Sequence, residues 1–165
     1  MNTVPQILVP TDFSAGAEVA LDEALRLAQL IRADVVLLHV LAPYVNAPSH
    51  FFLQEAGSRN ARLAADIARD HARFRLKKLA ERVQAVTSKT PQTRVEFGTP
   101  DELIGTLAEE GGYRFIVLGT HGASDTPETL GSVAERVLTR APCPVLVVPQ
   151  AAAPALLTVA AASVF

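Results

Sequence analysis

Short apolar runs alternate along this chain with longer stretches of helical periodicity, and that alternation restricts the fold more than any other feature. The runs are "QILVP" (Gln6 to Pro10), "DVVLLHVL" (Asp34 to Leu41), "TRVEFG" (Thr93 to Gly98), "YRFIVLG" (Tyr113 to Gly119) and "PVLVV" (Pro144 to Val148). Each is brief and reads as a strand, and "QILVP" and "DVVLLHVL", compact and apolar, read as strands buried on both faces. Between the first two, Ala17, Leu21, Ala24, Leu25, Ala28 and Ile31 recur at helical spacing. A charged helix is predicted from about Ser58 to Val86, its stripe formed by Leu76, Leu79, Val83 and Val86. A third helix opens with Thr99 as cap, Pro100 at its first position and Glu102 behind it, and "GSVAERVLTRA" makes a fourth. Strands separated by helices run parallel, with right-handed crossovers and helices on both faces.

The expectation is therefore an α/β fold, a doubly wound five-stranded parallel sheet. A chain of 165 residues suits a single domain, assigned to residues 1–150. The remainder, residues 151–165, is an apolar tail interrupted by Pro154. It is read either as packing on the body or on a partner, or as fraying.

Open parallel sheets bind ligands beyond the carboxyl ends of their strands, where the strand order reverses. The chemically unusual loops follow the first strand ("PTDFS") and the fourth ("GTHGA"), whereas "GTPDE" after the third is accounted for by helix capping. Neighbouring first and fourth strands give the order 3-2-1-4-5, with the crevice between them; the alternative order is 2-1-3-4-5. In the preferred order the fifth strand is an apolar edge, open to pairing unless a second copy or the tail covers it.

Composition sets further limits. The net charge of −2 offers no clustered basic face for nucleic acid. No run of about 18 apolar residues is present to cross a membrane, and no signal peptide is read at "MNTVPQILVPTDFS". Cys143, the one cysteine, reads as a small buried thiol. A cytoplasmic protein fits these features.

The segment "VLGTHGASDTPETLGSVAERV" (Val117 to Val137) carries the chemistry. Glycines let backbone N–H groups approach a phosphate, and the positive end of the helix after Gly131 adds attraction. Against this, Asp125 and Glu128 put negative charge nearby. Ser132 with Glu135 also makes a capping box. His121 either donates to a phosphate oxygen or is a loop histidine with a backbone partner. His39 reads as a buried strand histidine with a satisfied ring. Asp12 and Ser14 are candidate caps of the first long helix.

Taken together, "ILVPTDFS", "LLHVL", "VLGTHG" and "GSVAERVLTRAPCPVLVVP" resemble the universal stress protein family along almost the whole chain. The resemblance implies a cytoplasmic, stress-associated homodimer joined through the last strand (Val145, Leu146, Val147, Val148), and it supports the 3-2-1-4-5 order. Many family members bind ATP and others do not. In those that do, the loop reads Gly, two residues, Gly, nine residues, Gly, then Ser or Thr. Gly119, Gly122, Gly131 and Ser132 match these landmarks, with Val133 following, but only eight residues separate Gly122 from Gly131. The resemblance further implies that Asp12 meets the nucleoside and the Val40 backbone meets adenine. Pro10 and Thr11 frame the same pocket, and Tyr44, Phe51 and Phe52 lie in a connection that would fold over it.

The favoured expectation is a non-catalytic binder of ATP, with or without Mg²⁺. The alternative is a dimeric interaction module whose short acidic loop has given up the nucleotide. Asp12, His121 and Ser132 match a hydrolase trio in composition only. There is no nucleophile elbow or metal cluster in the sequence, so catalysis is not expected.

Overall fold

The computed structural model describes residues 4–42, 52–53, 62–121, 130–150 and 159–160. Its elements run β1 (Gln6–Pro10), α1 (Ala15–Ile31), β2 (Asp34–Leu41), β3 (Phe52–Leu53), β4 (Arg62–Leu63), α2 (Ala64–Thr87), β5 (Gln92–Phe97), α3 (Pro100–Gly111), β6 (Phe115–Gly119), α4 (Ser132–Arg140), β7 (Val145–Val148) and β8 (Val159–Ala160). The five long strands are parallel and ordered β5-β2-β1-β6-β7. In chain order that is the expected 3-2-1-4-5, with β1 at the centre. Its register sets Ile7 opposite Phe115 on one side and Val35 on the other.

Strand pleating sorts the apolar residues onto two faces. Ile7, Val9, Leu37 and Val117 pack with Ala20, Leu21 and Ala24 of α1 and with Leu76 and Val83 of α2. Leu8, Val36, Ile116 and Leu118 face the other way, against Ile104 and Leu107 of α3 and Ala134 and Val137 of α4. Each fully buried Leu or Ile contributes about 1.5–3 kcal/mol, so both layers are needed. The two outer helices on the second face are also tied by charge. Asp101, buried in the first turn of α3, accepts from Arg136 Nε at 3.1 Å, with Arg140 Nη1 at 3.9 Å.

Two expectations change, and one alternative left open, the tail as cover of the fifth strand, is realised. The second long helix starts at Ala64 rather than Ser58, because Arg62 and Leu63 are held extended by antiparallel pairing with Leu53 and Phe52. Its stripe keeps Leu76 and Val83, while Val86 is 43% exposed at the helix end. The fifth long strand is not a bare edge either. Val159 and Ala160, from the tail, pair antiparallel with Leu146 and Val145 and form a sixth strand. The rest of the tail and the aromatic connection at Tyr44 and Phe51 lie outside the described residues. Cys143 is half-buried, and burial raises its thiol pKa.

One contact brings the unusual loops together. The first turn of α1 crosses the end of β6 backbone to backbone. A Cβ added to Gly119 would lie 2.8 Å from the carbonyl carbon and oxygen of Gly16, and one added to Gly16 would lie 2.8 Å from His121 O. Neither neighbour is a flexible side chain, so the clash cannot be relieved by a rotamer change. We expect Gly16→Ala and Gly119→Ala each to lower stability by about 1–3 kcal/mol. Gly105→Ala, in the α3 interior with open space at its Cβ, should raise stability by about 0.5–1 kcal/mol. Urea unfolding of the three variants checks the contrast; equal effects would refute it.

Candidate functional site

At the carboxyl ends of β1 and β6 the two loops enclose a crevice of about 250 Å³. Pro10, Thr11, Asp12, Val40, Gly119, His121, Gly131, Ser132 and Val133 all line it, so nine of the ten residues expected at the site converge. Gly122, the tenth, lies outside the described residues.

The loop after β1 is a chain of local bonds. Thr11 N–H donates to Leu38 O at 2.8 Å, extending the β1–β2 ladder one step past the strand. Phe13 N–H donates to Thr11 Oγ1 at 3.0 Å, and Ser14 N–H to Asp12 Oδ1 at 2.9 Å. Ser14 Oγ then accepts from Ala17 N–H at 3.2 Å and caps α1. Ser14 is therefore the cap, while Asp12 holds the turn and keeps its exposed carboxylate at the crevice mouth. Phe13 has φ 63, in the left-handed region that side chains larger than Gly or Asn seldom enter.

The wall from β6 continues into the start of α4. Thr120 N–H donates to Val148 O at 3.0 Å, and Gly131 N–H returns to Thr120 O at 2.7 Å. The expected capping box does not form. Gly131 is the N-cap, Ser132 is the first helical residue, and no side chain caps this end. The cause is the Gly131–Thr120 bond, which places the helix entry at the glycine. Gly131 therefore has no amide to offer an anion, while those of Ser132, Val133 and Ala134 have no intrahelical partner. All three residues line the crevice, at the positive end of a helix. No Lys or Arg is among the described lining residues. Attraction for an anion thus comes from main-chain dipoles.

His121 does not take the backbone partner expected of a loop histidine. Its Nδ1 lies 2.7 Å from Thr120 Oγ1, a side-chain partner, and its Nε2 is buried with no hydrogen-bond partner among the described residues. Nε2 therefore makes no bond to Ser132, and the serine–histidine link of a hydrolase trio is missing. Val40 is both core and pocket, half-buried against the α3–α4 layer. Among the described residues there is no cluster of three or more metal-ligating side chains. Within the same residues no helix is long and apolar enough to cross a membrane.

His39 supports the crevice from β2. Nδ1 lies 2.7 Å from Thr11 O, and because a carbonyl only accepts, Nδ1 carries the proton. Burial lowers the ring's pKa below its ordinary 6.5; the Thr11 bond opposes this, Arg75 adds to it and Asp12 opposes it. Gly16, Phe13 and Arg75, which shape this loop, were not singled out in the sequence. Gly16 lies in "FSAGAEV" with no motif around it, and Arg75 reaches the loop from 62 residues away.

Comparison with known proteins agrees with this fold. The family model described as the universal stress protein family matches residues 4–149. The universal stress protein MJ0577 of Methanocaldococcus jannaschii is 30% identical over 152 residues, covering 87% of this chain and 93% of its own length. The structure of universal stress protein UspA from Lactobacillus plantarum superposes with a TM-score of 0.72 at 24% identity, covering 89% of this chain and 99% of that one. A universal stress protein solved in complex with cAMP superposes with a TM-score of 0.66 at 24% identity, covering 89% and 98%.

The lowered His39 pKa has a definite sign for stability. The unfolded chain takes up a proton near the ordinary value of 6.5, while the folded chain resists until lower pH. The stability contributed by neutral His39 is full above that value and is lost as pH falls through it. Urea midpoints should fall between about pH 7.5 and 5.5, and His39→Gln should flatten that slope. An unchanged slope in the variant would remove His39 as its origin.

Proposed function

The chain belongs to the universal stress protein family, and on that premise we propose that it binds an adenine nucleotide, ATP with Mg²⁺, in the crevice between β1 and β6 without turning it over. The observation that carries this reading is the start of α4, where three residues whose amides have no intrahelical partner line one wall of a crevice whose opposite loop presents Asp12. Polyphosphate suits the first feature, because backbone donors and the helix dipole favour an anion there. A ribose suits the second, because a carboxylate accepts from vicinal hydroxyls. Asp12 is oriented for this by the Ser14 amide. Since no cationic side chain is among the described lining residues, charge neutralisation falls to a divalent ion carried by the phosphates. One structurally similar universal stress protein was solved in complex with cAMP, so the fold holds an adenine nucleotide in at least that protein. Binding without catalysis accords with the engaged Nδ1 and sealed Nε2 of His121.

A second reading rests on the loop between Gly122 and Gly131, one residue short of the pattern of ATP-binding relatives and bearing Asp125 and Glu128. It makes the protein an interaction module with an empty crevice. We further propose that the protein forms a homodimer across β7 in the cytoplasm. The tail strand β8 pairs with Val145 and Leu146 of that edge, so tail and second copy compete for it.

Thermal denaturation with ATP and Mg²⁺ separates the first two readings. Ligand at about 100 times its Kd should stabilise the protein by about 2.7 kcal/mol. Gly131→Val, which alters a buried cap, should abolish the shift while leaving the circular dichroism spectrum intact. No shift at millimolar ATP, ADP, AMP or cAMP would leave the interaction module. For the dimer, sedimentation velocity of the chain and of a form ending at Gln150 should show more dimer in the shorter form; monomers in both would rule the β7 interface out.

A further inference from the structure

Asp12 is bracketed by two residues that are gripped from different parts of the fold. On its N-terminal side, Thr11 O receives His39 Nδ1 from β2 at 2.7 Å. On its C-terminal side, Phe13 O receives Arg75 Nη2 from α2 at 3.4 Å, and Arg75 Cζ lies 4.1 Å from the centre of the Phe13 ring. The His39 and Phe13 rings meet at 4.4 Å with a 35° tilt, closing the assembly. We propose that Arg75, Phe13 and His39 form a clamp that positions the Asp12 turn, which makes α2 a remote determinant of nucleotide affinity. This rests on the nucleotide reading given above and adds to it residues outside the crevice wall.

The backbone explains why a clamp is required. A phenylalanine at φ 63 sits in an unfavourable region and holds it only where its surroundings over-determine it. The Thr11 hydroxyl and the Asp12 carboxylate each accept an amide within the turn, but such short-range bonds form equally in other turn conformations. What selects this one is long-range: a cation over an aromatic face, a guanidinium on a carbonyl and a ring on a ring. Arg75 is otherwise solvent-exposed, so its removal leaves no buried group stranded. The charged groups facing His39 are Arg75 and Asp12 themselves, so the clamp and the ligand-facing carboxylate share one electrostatic environment.

The experiment compares wild type with Arg75→Gln, Phe13→Gly and Phe13→Tyr by isothermal titration with ATP and Mg²⁺ and by amide hydrogen exchange without nucleotide. Arg75→Gln and Phe13→Gly should weaken ATP binding about tenfold, a factor within reach of one lost cation–ring contact. The Tm of Arg75→Gln should stay within about 2 °C of wild type, since Arg75 is exposed, whereas Phe13→Gly also removes a ring packed against the core and should melt lower. Phe13→Tyr keeps the ring and should restore affinity. In Arg75→Gln the Phe13 and Ser14 amides should exchange about tenfold faster than in wild type, while the Thr11 amide, bonded to Leu38 O, keeps its protection. Unchanged affinity in both weakened variants, or an affinity loss in Arg75→Gln that tracks a lowered Tm, would overturn the clamp. Should wild type bind no nucleotide, the nucleotide reading falls, and the exchange arm alone decides: faster Phe13 and Ser14 exchange upholds the clamp, and unaltered exchange disproves it.

Discussion

The close approach of Gly16 to Gly119 is the constraint on which the crevice depends. Parallel strands β1 and β6 would lie side by side in any case, but their loops meet only because α1 enters directly over the end of β6. Two side-chain-free residues allow that entry, with main chain pressed on main chain. From there the rest follows in order. The β6 exit is set against α1, Thr120 bonds back to β7 and receives the Gly131 amide, and α4 starts with its first turn facing the loop that holds Asp12. The geometry of the site is thus a packing result before it is an electrostatic one.

The electrostatic character of the site comes from what the packing leaves unpaired. The described walls contain a carboxylate, a histidine and hydroxyls but no fixed cation, and the positive potential is that of a helix end. Such a wall discriminates poorly among anions by charge and better by shape. Tight binding of a highly charged ligand then requires that its charge be reduced by a metal ion that travels with it.

Much of this was legible in the sequence, for reasons tied to particular residues. The strands were readable because residues such as Val35 to Leu38 are buried on both faces and carry no polar interruption. The loop residues were readable because they sit at strand ends that topology brings together. What escaped depended on long-range geometry. The helix entry moved from Ser132 to Gly131 because of a bond to Thr120 across a loop. Phe13 gives no sign of its left-handed backbone in "TDFSAG", since the cause lies on α2. The short strands Phe52–Leu53, Arg62–Leu63 and Val159–Ala160 are two residues each, too brief for any alternation to register.

The central position of β1 has a consequence for how the chain is made. Its residues near Ile7 are synthesised before the other strands of the sheet, yet one of its two neighbours begins at Phe115. A nascent chain can pair β1 with β2 early, but the other edge of β1 stays open until β6 has emerged. Closure of that edge is a long-range event with a large loop entropy. The crevice lies on this late-closing seam, so a product stalled before β6 would carry the β1 loop with nothing opposite it.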